Sequence, residues 1–158
     1  MRRDKVNYYL DIAEVVAQRA TCLRRKYGAV IVKNDEVVAS GYNGAPRGRK
    51  NCSDLGRCLR QEQNIKSGER YELCRSVHAE ANACLSAGRK NCIGATIYLT
   101  GLEGDKYAKA ECCIMCKRYL INSGIESVFY RIDKDNYEEV KISDWIENDE
   151  GIEMLSNM

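Results

Sequence analysis

The spacing of apolar positions divides the first part of the chain into a helix and a hairpin. The apolar positions with helical spacing within residues 4–20 are Tyr8, Tyr9, Ile12, Val15, Val16 and Ala20. Residues 28–33 are a short apolar run, which predicts a buried strand, and the turn residues Asn34 and Asp35 separate it from a similar run at 36–42. We therefore expect an amphipathic helix followed by two antiparallel strands.

Further along the chain, helical and strand patterns alternate. Residues 76–87 and 113–122 are predicted helices that end near glycines, and 95–100 and 126–131 are predicted strands. Residues 101–110 are expected to be a loop, and the acidic end of the chain to close with a helix and to add a strand or a partner contact. This order predicts an α/β fold, a three-layer α/β/α sandwich around a mixed five-stranded sheet.

Residues 47–76 interrupt the alternation. They are polar, cysteine-bearing and weakly periodic, and they are too long for a plain loop in a compact domain unless something orders them. The chain of 158 residues has no internal repeats. We therefore expect a single domain over residues 1–158, with 47–76 as an insertion.

Composition narrows the classes of partner. No apolar run approaches the roughly 20 residues of a membrane span, and the first residues lack the apolar core of a signal peptide, so we expect a cytoplasmic protein without a membrane partner. Net charge is +2, yet residues 23–70 carry eleven Lys or Arg against five Asp or Glu. That excess is either a solvated face or a wall for a phosphate-bearing ligand. Without a long basic stripe or an aromatic repeat, polymeric nucleic acid is not an expected partner.

The chemistry-bearing residues form one pattern. The single histidine, His78, begins His-Ala-Glu, and Cys113-Ile-Met-Cys116 follows 35 residues later. One nitrogen and two sulfur ligands fill three corners of a zinc tetrahedron and leave the fourth open for water, as in catalytic sites. Glu80 is close enough to His78 to move protons beside that water without binding the metal. This combination is typical of zinc-dependent nucleobase deaminases, which replace an amino group next to a ring nitrogen.

Several segments make the chain similar to the cytidine/deoxycytidylate deaminase family. These are YGAVIVK at 27–33, SGYNGAP at 40–46 and CRSVHAEANA at 74–83, together with the cysteine pair, Lys117 and INSGI at 121–125. They extend over most of the chain. His-Ala-Glu alone would be a weak signal, but the cysteine pair at this spacing and the upstream segments make the resemblance specific.

The resemblance implies a cytidine deaminase-like fold and zinc-dependent hydrolysis of dCMP to dUMP, which supplies thymidylate synthesis. The residues that it implies are His78, Cys113 and Cys116 as zinc ligands, Glu80 as proton carrier, and Asn43 and the backbone of Ala79 as substrate contacts. It also implies a homo-oligomer, often a hexamer, and regulation by dCTP and dTTP, with Mg²⁺ accompanying the effector. The motifs do not decide whether this chain is regulated.

One position departs from the family pattern. The family usually has proline before the first cysteine of the pair, and this chain has Cys112. Without proline the first turn of the helix is less fixed, and a third thiol lies beside the metal. Cys112 is therefore an alternative ligand, although the two-residue spacing of the recurrent zinc pattern favours Cys113. The 101–110 segment also looks longer than is usual in the family.

The other cysteines predict a second metal site. Some family members carry a structural zinc in this region, and Cys22, Cys52, Cys58 and Cys74 flank or lie within the insertion. Four thiolates would close a tetrahedron and order the polar segment, and the alternative is four free thiols. Cys84 and Cys92, in apolar contexts, are expected to fill the core.

Two sets of alternatives stay open at the level of sequence. The candidates for a phosphate contact, by charge alone, are Arg24, Arg25, Lys26, Arg47 and Lys50. Each one taken singly is better explained as a solvated surface residue, and the sequence does not choose among them. The function alternatives are another deaminase of the same fold, acting on cytidine, guanine or a tRNA adenosine, and a non-catalytic zinc module. The module would have closed metal sites and no role for Glu80.

Overall fold

The computed structural model describes residues 1–148. The helices are α1 (Lys5–Ala17), α2 (Cys52–Leu55), α3 (Leu59–Glu62), α4 (Ala79–Ala87), α5 (Arg89–Cys92), α6 (Ile114–Ser123) and α7 (Ile142–Glu147), with a 3₁₀ turn at Tyr71–Leu73. The strands are β1 (Lys26–Lys33), β2 (Glu36–Tyr42), β3 (Thr96–Glu103), β4 (Lys106–Ala108), β5 (Ser127–Arg131) and β6 (Tyr137–Lys141). The remainder of the predicted 1–158 domain, including the end of the acidic segment, lies outside the described residues.

These strands form one mixed sheet. The order is β2-β1-β3-β5-β6, with β4 paired to β3 beyond that path. Strands β3 and β5 run parallel, and every other pair is antiparallel. The β1–β2 turn has positive φ at Asn34 and Asp35, as a tight hairpin with right-handed strand twist requires. The predicted mixed sheet is confirmed. The acidic segment adds strand β6 and helix α7, and the prediction that the segment ends in a helix falls on residues outside those described.

The expectation of a loop over residues 101–110 is wrong. Strand β3 continues to Glu103, which pairs with Lys106 at the start of β4. Gly104 has φ of +60° and, with Asp105, makes the tight turn between the strands. This extra hairpin gives the sheet six strands instead of five. Gly-Asp between strand patterns is itself a hairpin signal.

Helices cover both faces of the sheet. On one face, Leu10 and Ala13 of α1 pack in a buried cluster with Val30 and Tyr98. On the other face, α4 and α6 contribute to a larger cluster, which includes Leu120, and this cluster continues under α7. The predicted three-layer α/β/α arrangement is confirmed. Cys92 is fully buried in the larger cluster and Cys84 packs against it, in agreement with the prediction that both fill the core.

A glycine in β2 determines how closely α4 approaches the sheet. A Cβ at Gly41 would lie 2.4 Å from the backbone nitrogen of Ala83 and 2.7 Å from the carbonyl oxygen of Ala79. No side chain fits at this separation, since real Cβ contacts are longer. Because Gly41 has no side chain, α4, the helix that follows His78, can lie this close to the sheet.

The insertion is held mainly by polar contacts. It contains two one-turn helices and the 3₁₀ turn, and most of its side chains are exposed. The backbone of Ser53 donates to the carbonyl of Thr21 at 3.1 Å, and Arg75 Nε donates to the carbonyl of Lys50 at 2.7 Å. A bridge between Gly44 and Val77 closes its base. Of the helices in residues 1–148, none is long and apolar enough to cross a membrane.

Candidate active site

The histidine and the cysteine pair meet at the first turns of two helices. His78 caps the N-terminus of α4, Cys113 caps that of α6, and Cys116 lies in the first turn of α6. Nδ1 of His78 lies 3.6 Å from Sγ of Cys113 and 3.4 Å from Sγ of Cys116. Among the described residues, these three are the one group of potential metal ligands whose donor atoms all lie within 4.8 Å of one another.

The separations fit a tetrahedral zinc site. Zinc bonds of about 2.0 Å to nitrogen and about 2.3 Å to sulfur, at the tetrahedral angle, place those donor atoms about 3.6 Å apart. The two measured nitrogen–sulfur distances, 3.4 and 3.6 Å, agree with this value. One imidazole and two thiolates are also a ligand set that zinc takes in catalytic sites. The protein thus presents three donors in position to hold one ion.

The same contacts shift the protonation of the three groups. Hydrogen bonds to Cys113 and to Cys74 raise the pKa of His78 to about 10, although burial opposes the shift. A hydrogen bond from Cys116, together with His78, lowers the pKa of Cys113 to about 4. These contacts favour the thiolate form of Cys113, whereas the hydrogen bond to Cys113 and burial raise the pKa of Cys116. Because a bound metal needs a neutral imidazole and two thiolates, metal binding at this cluster releases protons.

Glu80 lies beside the cluster in the first turn of α4. Glu80 is only 8% exposed, and burial raises the pKa of its carboxyl. The Cys116 thiol forms a hydrogen bond with it, and so does the thiol of Cys112. Burial and the Glu80 charge raise the pKa of Cys112 well above its usual range. A carboxyl with a raised pKa can act as a proton donor as well as a proton acceptor.

Cys113, and not Cys112, is the cysteine that the structure groups with His78. Cys112 is buried, 6% exposed, in the core beneath α6, and its thiol contacts Glu80. The two-residue spacing between the ligating cysteines thus matches the geometry. Cys112 occupies the position of the usual proline without joining the metal-ligand group.

A cavity opens in front of the cluster. His78, Glu80 and Cys113 form part of its wall, and Asn43 lines it as well. The Asn43 side chain is 5% exposed, and its amide accepts from the Tyr27 backbone at 2.7 Å and donates to the Arg25 carbonyl at 3.0 Å. Asn43 thus ties the β2 end to the start of β1. One lone pair and one N–H of the amide remain for a ligand.

Ala79 is the first residue of α4 and is fully buried. At this position of a helix the backbone N–H has no partner within the helix, so it is available to a ligand. Its neighbours in sequence are His78 and Glu80, and both line the cavity. Ala79 itself does not line the cavity, so the contact of its backbone with a base carbonyl stays a prediction.

The four cysteines of the predicted second site line one shared cavity, next to the first. They are Cys22, Cys52, Cys58 and Cys74. Their sulfur atoms are more widely spaced than the donor atoms of the first cluster, since within the described residues no three of these sulfur atoms all lie within 4.8 Å of one another. Burial raises the pKa of Cys52, and the charges of the other three raise it further. Burial by itself would raise the pKa of Cys74, but hydrogen bonds to His78 and to the Ser76 backbone, together with the charges of His78 and Arg60, lower it overall.

The residues that line the cavity include an arginine and a tyrosine that were not among the candidates from the sequence. Of the five basic candidates, Arg24 and Arg25 line the cavity and the other three do not. Arg60 and Tyr71, both from the insertion, also line it. Nothing in the pattern around Arg60 distinguishes it from the other basic residues nearby, because its burial depends on the path of the insertion.

Comparison with known proteins gives consistent results. A family profile described as "Cytidine and deoxycytidylate deaminase zinc-binding region" matches residues 3–132. A deoxycytidylate deaminase of Mycobacterium phage D29 is 42% identical over 133 residues, which cover 82% of this chain and 95% of the phage protein. A deoxycytidylate deaminase of Schizosaccharomyces pombe is 35% identical over 124 residues, which cover 78% of this chain but 36% of the yeast protein.

A solved structure supports the same grouping. The dCMP deaminase of cyanophage S-TIM5, in complex with dCMP and dUMP, superposes with a TM-score of 0.58 at 25% sequence identity. The match covers 83% of each chain. The structural similarity therefore extends over most of this chain.

Proposed function

This chain belongs to the family of cytidine and deoxycytidylate deaminases, and from that membership we propose that it hydrolyses dCMP to dUMP and ammonia. The observation that carries the proposal is the convergence of His78, Cys113 and Cys116 beside the buried carboxyl of Glu80. The names of the relatives support dCMP as the substrate, as does the dCMP-bound cyanophage structure. Its product would supply thymidylate synthesis.

His78, Cys113 and Cys116 are the residues that would hold a catalytic zinc. Their three donor atoms lie within 4.8 Å of one another, and His78 and Cys113 also line the cavity. When bound, zinc supplies a Lewis acid that makes water acidic enough to yield hydroxide near neutral pH. The remaining steps fall to the side chains of the chain itself.

Glu80 is the proposed proton carrier. It would accept a proton from the attacking water, donate it to the ring nitrogen of cytosine and then assist departure of the amino group as ammonia. Burial favours the neutral form of its carboxyl and so allows it to act as an acid as well as a base. The Cys112 thiol, whose pKa is raised so that it keeps its proton, forms a hydrogen bond with this carboxyl.

Asn43 and Ala79 are the proposed substrate contacts. Asn43 is held rigidly by two backbone hydrogen bonds, and its remaining donor and acceptor are assigned to the sugar. The Ala79 N–H, at the positive end of α4, is assigned to the carbonyl oxygen of the base. Fixed donors of this kind select the orientation in which the amino group faces the metal.

Substrate comparison tests the proposal. Loss of absorbance at the cytosine band is followed with dCMP, deoxycytidine and cytosine as substrates, and turnover should be fastest with dCMP. The Glu80→Gln variant should keep its fold and its metal but lose turnover by about 10³-fold. Glu126→Gln, an exposed carboxylate outside the cavity, is the matched control and should keep full activity.

Two results would contradict the proposal. Equal rates with all three substrates would refute phosphate recognition and favour a different deaminase of the same fold. Absence of turnover in the parent protein, with metal bound and with ligand binding unaffected by Glu80→Gln, would favour a non-catalytic zinc module.

A second zinc, bound by Cys22, Cys52, Cys58 and Cys74, is part of the proposal. Its support is that the four cysteines share one cavity and that the insertion otherwise has few apolar contacts. Binding would draw the sulfur atoms to the spacing of a closed tetrahedral site. One zinc per chain, and not two, in protein purified without added metal would contradict it.

The remaining expectations stay predictions. They are a homo-oligomer of hexameric size, regulation by dCTP and dTTP with Mg²⁺, the single domain over 1–158 and a cytoplasmic location. Exposed apolar side chains along α4 and α6, Leu85 at 77% and Tyr119 at 46% exposure, are consistent with a subunit contact. Light scattering on the purified protein measures the oligomer size directly.

A further inference from the structure

Arg60 is a buried arginine in the wall of the catalytic cavity. It lies in α3, within the insertion, and is only 7% exposed. Arginine is almost never fully buried unless it is paired with an anion. The burial of this side chain therefore calls for a partner of opposite charge.

Within residues 1–148 Arg60 forms no ion pair, although its charge lowers the pKa of the Glu72 carboxyl and of the Cys74 thiol. Nη2 donates to the carbonyl oxygens of Lys66 and Glu69, both at 2.8 Å, and the guanidinium lies 4.4 Å from the centre of the Tyr71 ring. Nε is buried and has no hydrogen-bond partner among the described residues. The carbonyls and the ring orient the guanidinium but do not neutralise it.

The Arg60 guanidinium also lies near His78, with one aromatic ring between them. The Tyr71 ring that it covers lies edge-on to His78, with ring centres 5.0 Å apart. Arg60 is thus separated from the metal-ligand cluster by the width of one aromatic ring and faces the same cavity. A nucleotide whose base lies against Glu80 would extend its sugar and phosphate along this wall.

The other cavity arginines are less suited to a buried anion. Arg25 forms an ion pair with Glu103 at 3.3 Å, and both side chains are more than a third exposed. Arg24 is only half-buried. We propose that Arg60 binds the 5′-phosphate of the substrate and thereby gives the site its preference for a nucleotide over a nucleoside. This inference rests on the proposed function, and it assigns the contact with the substrate phosphate to a residue of the insertion.

The chemistry of the two groups supports the assignment. A guanidinium presents its N–H groups in a fixed fork. Both N–H groups of Nη2 are committed to the carbonyls of Lys66 and Glu69, so Nη1 is the nitrogen that donates to the phosphate, and such charge-assisted bonds are about twice as strong as neutral ones. Because Arg60 is shielded from water, its charge is screened less than that of a surface arginine. The two backbone carbonyls hold the fork in place before the ligand arrives.

Arg60→Gln tests the assignment through substrate preference. The measured quantity is kcat/KM for dCMP divided by kcat/KM for deoxycytidine, and the variant should lower this ratio by about 10- to 100-fold, mainly through KM for dCMP. Deoxycytidine turnover should change little. Arg57→Gln is the control, because Arg57 belongs to the same insertion, is exposed, pairs with Glu62 and lies outside this cavity.

A structural role alone would give a different result. If Arg60 only held the carbonyls of Lys66 and Glu69, the variant would lose activity on both substrates equally and the ratio would not change, which would overturn the assignment. A wild-type enzyme that turns over neither substrate would overturn the proposed function itself. If Arg60→Gln does not fold, Arg60→Lys decides, with inorganic phosphate as competitor against dCMP. If inorganic phosphate inhibits Arg60→Lys about tenfold more weakly than it inhibits the parent protein, the assignment is supported. If both the inhibition by phosphate and the ratio of kcat/KM values are unchanged, the assignment is overturned.

Discussion

The metal-ligand cluster and the insertion both depend on cysteines, but they are built in different ways. His78, Cys113 and Cys116 sit at the N-termini of helices that pack on the sheet over a continuous buried core. The insertion, residues 47–76, has two one-turn helices and mostly exposed side chains. Formation of the fold therefore brings the first set of ligands together, whereas the second set lies on a segment with little core of its own.

On the proposed function, the metal-ligand cluster carries out the reaction and the insertion contributes to the choice of substrate. A reaction that needs fixed donor positions benefits from residues on rigid elements, where helix packing sets their geometry. Recognition of a distant phosphate can be carried by a peripheral segment, as proposed for Arg60. Mutations should therefore affect the two regions differently, and the predictions below use that contrast.

The largest effect is expected at Gly41, in the scaffold. Gly41→Ala places a Cβ 2.4 Å from the backbone of Ala83, so α4 must move away from the sheet. We expect the free energy of unfolding to fall by about 3 kcal/mol and metal affinity to fall with it, because His78 moves with the helix. Urea unfolding and metal content measure both effects.

Ser40→Ala is the matched control for this change. Ser40 precedes Gly41 in β2, points to the other side of the strand and is exposed, so its replacement should alter stability by less than about 0.5 kcal/mol. If Gly41→Ala and Ser40→Ala unfolded at the same urea concentration, the close contact between α4 and the sheet would not be important for the stability of the fold.

A smaller effect on global stability is expected in the insertion. Cys52→Ser removes one ligand of the proposed second zinc, so metal content should fall from about two ions to about one per chain. The unfolding midpoint should change less than in Gly41→Ala, because the sheet and both buried clusters lie almost entirely outside residues 47–76. Limited proteolysis should then cut within the insertion first.

Cys84→Ser provides the comparison for the insertion. Cys84 lies in α4 outside both groups of proposed ligands, so this variant should keep the metal content and the proteolysis pattern of the parent protein. A Cys52→Ser variant with unchanged metal content would remove the second zinc from the account and leave the catalytic site in place.

The sequence predicted the main elements well because their patterns are local. Helix α1 and the β1–β2 hairpin agree with their apolar spacing and turn residues, and α6 ends at the glycine that was expected to stop it. The β3–β4 hairpin was missed, since three residues of β4 carry too little pattern to outweigh the charged residues around Gly104. The turn pair Gly104–Asp105 was the available signal.

The site was predictable to the extent that it depends on a motif. His78, Glu80 and the cysteine pair have fixed spacings within helix N-termini, and the structure brings them together. Arg60 and the contact of Cys112 with Glu80 depend instead on how distant segments fold against each other. Charge alone suggested five other basic residues for the phosphate, and only tertiary burial separates Arg60 from them.

X-ray anomalous diffraction at the zinc edge, on crystals grown without added metal, tests the central claim most directly. The account predicts a peak within bonding distance of Nδ1 of His78 and of Sγ of Cys113 and Cys116, with a solvent molecule as the fourth ligand. Absence of that peak, or a fourth protein donor such as Cys74 closing the site, would contradict it.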